Sequence, residues 1–146
     1  MNIRLRALRE SPESFLSTFE RETSYGEEQW RAECARGEWN IGFVGAEEVS
    51  LLGATRELGT PVNQCYLEYL WVAPSCRRSG LARQILGVVL DRLKTAGVRT
   101  VFLWVLDGNE GAAQLYKRIG FVSTNHRQPL EADPGRSEER MRLNLG

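Results

Sequence analysis

A strand, a loop, a helix and a second strand follow one another between Cys65 and Leu106, and no other feature of the chain restricts its folding more. Tyr66 to Val72 is apolar and aromatic, and Pro74 ends the run because proline has no amide hydrogen for a ladder. The loop carries Arg77 and Arg78, with Gly80 and Ala82 just inside the following turn. Leu81, Ile85, Val88 and Val89 recur at helical spacing, as do Leu86, Leu90 and Leu93, which predicts a helix over Ser79–Ala96 closed by Gly97. Val101 to Leu106 is then apolar without a break, as expected of a central strand covered on both faces. Two strands joined by such a helix lie parallel.

The start of that helix is a site for an anion. Its first amides have no partner, the dipole is positive there, and small residues let a phosphate approach. Two familiar phosphate sites are excluded, since neither the three-glycine dinucleotide pattern nor Gly-Lys-Ser/Thr occurs. What stands here is Arg77-x-x-Gly80-x-Ala82 behind a strand ending Leu70-Trp71-Val72. The string resembles the pyrophosphate signature of the GCN5-related N-acetyltransferase (GNAT) superfamily. Downstream, Asn109 is followed by Ala112, by Tyr116 and then by Gly120-Phe121, with Ala112, Leu115, Tyr116 and Ile119 on one helical face. This second motif is similar to the coenzyme-binding helix of the same superfamily, and the two together extend the resemblance over nearly the whole chain.

Composition is consistent with this reading and narrows it. The chain has 146 residues, enough for one domain with a real core, taken here as residues 1–146. Its 19 basic and 19 acidic side chains cancel, which argues against a nucleic-acid partner held by bulk charge but leaves room for a local patch at Arg77, Arg78 and Arg83. The three cysteines (Cys34, Cys65, Cys76) and the single histidine, His126, are too scattered for a zinc site or a disulfide framework, so no metal is expected. Apolar runs are too short to span a membrane, no signal region opens the chain, and a cytoplasmic location is expected.

Around the central unit, Asn2–Glu10 reads as a helix with Ile3, Leu5 and Leu8 apolar. Ser11-Pro12 restarts it, and Phe15, Leu16 and Phe19 follow as a stripe. Ser24-x-x-Glu27 has the form of a capping box for a third helix, with Trp30 and Cys34 one turn apart. Trp39–Gly45 and Val49–Glu57 form a hairpin around Ala46-Glu47-Glu48, Gly59-Thr60-Pro61 is a turn, and Val62–Ala73 is the next strand. Val122–Arg127 and Glu139–Leu145 close the sheet as a hairpin, across a loop holding Pro129, Glu131, Asp133 and Pro134-Gly135. The resemblance implies an α/β (α+β) GNAT fold: a mixed, mostly antiparallel sheet with a splayed parallel pair, flanked by about four to five helices. Members of the superfamily usually begin with a strand. None precedes Met1, so the sheet is expected to lack its first member and to offer an edge that suits a homodimer.

The resemblance further implies acetyl-coenzyme A as cosubstrate and an amine acceptor, small molecule or protein, attacked directly in a ternary complex. Amides of Arg78, Ser79, Gly80, Leu81 and Ala82, with Arg77 and Arg83 nearby, would take the pyrophosphate; alternatively Gly80 and Ala82 only let the helix pack closely. Amides near Leu70, Trp71 and Val72 would face the thioester oxygen. Asn109 either bonds the pantetheine or caps its helix, beside Ala112. Tyr116 is the superfamily's usual donor to the departing sulfur, and its other reading is a core tyrosine. Free tyrosine and thiol pKa values of about 10 and 8.5 make full proton transfer uphill by roughly 2 kcal/mol. Some members carry a glutamate five residues before the asparagine, where this chain has Trp104. Glu68 is the remaining carboxylate, in a strand that also resembles the one in aminoglycoside 6′-acetyltransferases. It orients the amine or works through water, or it faces solvent or an arginine. His126 reads as a surface residue, Cys76 as no nucleophile, and Tyr69 and Trp71 as walls. The reading of a different class is a non-catalytic acyl-coenzyme A sensor that keeps the donor site alone.

Overall fold

The computed structural model describes residues 2–12, 19–130 and 133–146. In chain order the elements are α1 (Asn2–Glu10), α2 (Phe19–Thr23), α3 (Glu27–Ala35), β1 (Gly37–Val44), β2 (Glu47–Thr55), β3 (Gln64–Val72), α4 (Leu81–Thr95), β4 (Thr100–Leu106), α5 (Glu110–Ile119), β5 (Val122–Pro129) and β6 (Ser137–Asn144). The six strands form one sheet in the order β1-β2-β3-β4-β6-β5, antiparallel everywhere except between β3 and β4.

Two apolar layers cover the sheet. On one face Leu86, Val89, Leu90 and Leu93 of α4 and Tyr116 of α5 pack on Leu52, Cys65, Leu67, Val101, Leu103 and Met141. On the other, Ile3 and Ala7 of α1 pack on Val49, Leu51 and Trp71. Each layer is what the strand period of two and the helix period of 3.6 dictate when apolar residues seek cover. Val88 departs from the expected helix face and is exposed, because the stripe through Leu86, Val89, Leu90 and Leu93 already fills the contact.

The period fails once, in β3. Its register with β2 runs Leu51↔Trp71 and then Gly53↔Glu68, so three steps on β3 oppose two on β2. Tyr69 and Leu70 form the bulge, with Tyr69 at a φ of 60°. Parity flips across it: Cys65 and Leu67 face α4, whereas Tyr69 and Trp71 face α1.

Several local expectations are corrected. Ser24 and Glu27 form no capping box, since Gly26 is the N-cap of α3 without a side-chain bond and the Ser24 hydroxyl donates to the Arg21 carbonyl. No residue of α3 is fully buried, so Trp30 and Cys34 mark no core face. The β1–β2 turn is Gly45-Ala46 alone, Gly45 taking a φ of 61°, and Glu47 and Glu48 belong to the strand. On β4 Val101, Leu103, Val105 and Leu106 are buried; Phe102 and Trp104 are half-buried, against Tyr66, Arg140 and His126 rather than under a helix. Phe15 and Leu16 of the expected stripe lie outside the described residues.

Candidate active site

The site grows out of a parting between strands. β3 and β4 pair at Gln64↔Thr100, Cys65↔Val101 and Tyr66↔Phe102, and at no position beyond. From Leu67 onward they separate around a cavity of about 220 Å³, whose walls include Glu68, Leu70, Trp104, Asn109, Ala112 and Tyr116. The Ala73 amide donates to the Val49 carbonyl on the β2 side. By alternation the Trp71 amide points the same way, and those of Leu70 and Val72 point into the parting. A bulge next to an unpaired strand edge leaves main-chain donors for a ligand that lies along it.

At the far end of β3, the chain turns through Pro74–Cys76 into α4. Gly80 is the N-cap of α4 at a φ of 81°, and no side chain caps the helix. A methyl group built on Gly80 would meet nothing within 4 Å, so the glycine is required by its left-handed backbone and not by close packing. Arg78 is also left-handed, at 62°. The first amides of α4 therefore point outward uncapped, over small and exposed residues, a fit for a diphosphate. Arg78, Ser79 and Gly80 are exposed around that crown. Arg77 is held back: its Nε donates to the Val72 carbonyl at 3.0 Å and its Nη2 to Ser11 Oγ at 2.7 Å. Ser79 Oγ donates to the Cys76 carbonyl.

On α5, Asn109 is the N-cap, its side chain accepting from the Ala112 amide at 3.4 Å, while Asn109 also lines the cavity. Tyr116 lies about two turns further along, with its ring edge-on to Phe121 at 5.7 Å. Among the described residues its hydroxyl has no hydrogen-bond partner. Burial pushes the phenol's pKa well above its ordinary value, so Tyr116 enters any reaction as a protonated donor.

A second cavity, of about 390 Å³, opens on the α1 side and shares Leu67, Glu68, Tyr69, Trp104 and Leu106 with the first. The bulge explains this sharing. Without the extra residue Glu68 and Tyr69 would face opposite sides; with it both face α1. Glu68 accepts from Arg36 Nη2 at 3.3 Å. Tyr69 donates its hydroxyl to Glu22 at 2.9 Å and accepts from Arg4 Nη2 at 2.6 Å. Arg4 grips Glu22 with two bonds of 2.7 Å, both side chains almost fully buried, and reaches Glu33 at 3.3 Å. Burial opposes the Arg4 charge, yet Glu22, Tyr69 and Glu33 together hold its pKa above the usual value. Burial likewise pushes the Tyr69 phenol up, against the pull of Arg4 and with the help of Glu22. Two rings bracket the cation, Tyr69 at 3.9 Å and Trp39 at 5.1 Å from their centroids.

Of the residues singled out from sequence, Glu68, Leu70, Asn109, Ala112 and Tyr116 meet around one cavity. Arg77 to Arg83 form the loop and crown beyond it, while the Trp71 and Val72 side chains are buried away from it. The Arg4, Glu22 and Tyr69 group was not legible as a site. One signal existed: Arg4 shares the apolar face of α1 with Ile3, Ala7 and Leu8, and an arginine on a core stripe implies a buried partner. Among the described residues no group of three His, Cys, Asp or Glu side chains is placed to hold a metal, and no helix is long and apolar enough to cross a membrane.

A mixed six-stranded sheet whose single parallel pair parts after three residues defines the class of fold. The chain belongs to the Acetyltransferase (GNAT) family, whose model matches residues 4–121. GCN5-related N-acetyltransferase 6, chloroplastic, of Arabidopsis thaliana is 34% identical over 70 residues, 47% of this chain and 24% of that protein. The ribosomal protein bS18-alanine N-acetyltransferase of Salmonella typhimurium is 42% identical over 50 residues, 34% of each. The chain thus spans between 24% and 34% of the length of these curated relatives. Among solved structures, a GNAT-family protein from Desulfovibrio desulfuricans superimposes with a TM-score of 0.80 at 17% identity, over 99% of this chain and 92% of that one. The ribosomal-protein-S18-alanine N-acetyltransferase of Escherichia coli gives 0.73 at 19%, over 100% and 90%. A Bacillus subtilis acetyltransferase in complex with CoA gives 0.69 at 17%, over 83% and 85%. At these identities the likeness is one of fold.

Proposed function

We propose that the chain is an acetyl-coenzyme A-dependent N-acetyltransferase acting on a primary amine by direct attack. One observation carries this: the parallel strands pair for three residues and then part around a cavity lined by Glu68, Asn109 and Tyr116, in line with the uncapped start of α4. The amides of Arg78 to Ala82, with Arg77 and Arg83 nearby, would hold the pyrophosphate, and the parted edge of β3 would bond the pantetheine arm. Leu70 and Val72 amides would stabilise the oxygen as the thioester carbon becomes tetrahedral. Tyr116, kept protonated by burial, donates a hydrogen bond to the departing sulfur. Its raised pKa widens the gap to a thiol, which favours donation over complete proton transfer. Glu68, held by Arg36, orients the incoming amine. The second cavity is where that amine would enter, a small molecule or the end of a protein; two of the family relatives described above act on the alanine of a ribosomal protein.

The test is thiol release from acetyl-coenzyme A with and without a panel of primary amines, alongside a melting curve. At a coenzyme concentration a hundredfold above Kd, stability should rise by about 2.7 kcal/mol. Amine-dependent release is the expected result. Tight coenzyme binding with no amine-dependent release would instead make the chain an acyl-coenzyme A sensor, and absence of any melting shift would remove the donor site altogether.

A further inference from the structure

Arg4 carries an atom that acetyl transfer leaves without a task. The residue is 2% exposed, its Nε and Nη2 are taken up by Glu22 and Tyr69, and its Nη1 has no partner among the described residues. Arg4 lines the second cavity. A buried N–H that donates to nothing is costly, and a ligand oxygen is the natural relief. Its charge is already answered by Glu22 at 2.7 Å and Glu33 at 3.3 Å. What Nη1 lacks is therefore a neutral acceptor rather than another anion.

The rest of the cavity asks for the opposite. Five glutamates and three arginines line it. Glu138 is 4% exposed, accepts only from the neutral Gln128 amide at 2.7 Å, and pairs with no cation among the described residues. Glu68, on the other wall, shares Arg36 with Glu33. A positive group suits these carboxylates and a carbonyl oxygen suits Arg4 Nη1.

We propose that the acceptor is an α-amino amide, its ammonium drawn to the Glu68 and Glu138 carboxylates and its carbonyl oxygen accepting from Arg4 Nη1; this rests on the acetyltransferase reading above. The chemistry of proton loss points the same way. Trp104 carries no basic group, and Glu68 is held in an ion pair. An α-ammonium with a pKa of about 7.8 supplies roughly 400-fold more neutral amine near pH 7 than a lysine-type ammonium of about 10.4, so a site without a strong base suits it. The same amide chemistry occurs in a small amino acid amide and at the amino end of a peptide.

The experiment compares kcat/KM per neutral amine for L-alaninamide, the tripeptide Ala-Gly-Gly, sec-butylamine, free L-alanine and 1,4-diaminobutane, with saturating acetyl-coenzyme A and wild-type protein. Alaninamide or the tripeptide should exceed sec-butylamine by about tenfold to a hundredfold, the factor expected of a hydrogen bond from a charged donor. Which of the two is faster assigns the source. Arg4→Lys keeps a cation beside Glu22 without the Nη1 edge, and should bring that ratio close to one while the KM for acetyl-coenzyme A stays put. Should the variant fail to fold, the wild-type ratio alone decides. Rates for alaninamide and the tripeptide that are both no higher than for sec-butylamine, or a preference for the diamine or free alanine, overturn the proposal but leave the acetyltransferase reading intact. No thiol release with any amine overturns both.

Discussion

Tyr116 and Glu68 sit on opposite walls of one cavity and are held by opposite means. Tyr116 is positioned by packing alone, against Phe121 and the α4 face of the sheet, so losing its hydroxyl changes little but the donor. Tyr116→Phe should slow turnover by about tenfold to a hundredfold, as removal of one hydrogen bond to a developing charge does, with coenzyme affinity nearly intact. Steady-state kinetics beside a coenzyme titration check this, and unchanged turnover would take Tyr116 out of the mechanism. Glu68 is positioned by charge, through Arg36 at 3.3 Å, with both side chains partly exposed. Glu68→Gln should cost stability less than about 1 kcal/mol, because such pairs are screened by water. Its kinetic loss should fall on the constants of the amine; a change confined to coenzyme affinity would move Glu68 to the other pocket.

Among the elements, the end of α1 has a larger part than its length suggests. Ser11 is 1% exposed, and its Oγ accepts from Trp71 Nε1 at 3.1 Å and from Arg77 Nη2 at 2.7 Å. One hydroxyl thus ties α1 to the end of β3 and to the loop before α4. Ser11→Ala leaves the buried Trp71 N–H without an acceptor and should cost about 1–3 kcal/mol, read from the shift in a urea unfolding midpoint. If Arg77 organises the loop from this position, the same variant should also weaken coenzyme binding. The bulge in β3 is the other element that matters. It holds Tyr69 in the left-handed region, which a bulky residue adopts only where its surroundings compel it. Arg4, Glu22 and the edge of Trp39 do so here.

At the scale of the whole molecule, the closely packed face under α4 responds to alkali. Cys65 lies in that core at 1% exposure, and burial pushes its thiol from 9.0 up to about 11. The unfolded chain releases this proton first, so the folded state loses stability as pH climbs through that interval, by about 3 kcal/mol in total for two units. Below pH 9.0 this contribution is fully present. Cys65→Ala should therefore flatten the fall in melting temperature between pH 9.0 and about 11 relative to wild type. Tyr69 and Tyr116, also raised by burial, leave a residual decline at higher pH in both proteins.

Sequence alone was sufficient for whatever depends on neighbours along the chain. The strand from Tyr66, its stop at Pro74, helix α4 with Gly97 beyond it, and the parallel β4 all follow from period and punctuation. The Asn109 cap was one of two readings the motif left open, and it is the structure that shows the bond from the Ala112 amide. Tertiary structure decided what depends on contacts between distant segments. The Arg4–Glu22 pair joins residues 18 apart, and Arg4 to Tyr69 spans 65. The bulge reverses the faces of β3, since strict alternation would have sent Glu68 and Tyr69 to opposite sides. A one-residue change of register carries no composition signal, yet it turns every later side chain over, and with it the shape of the second cavity.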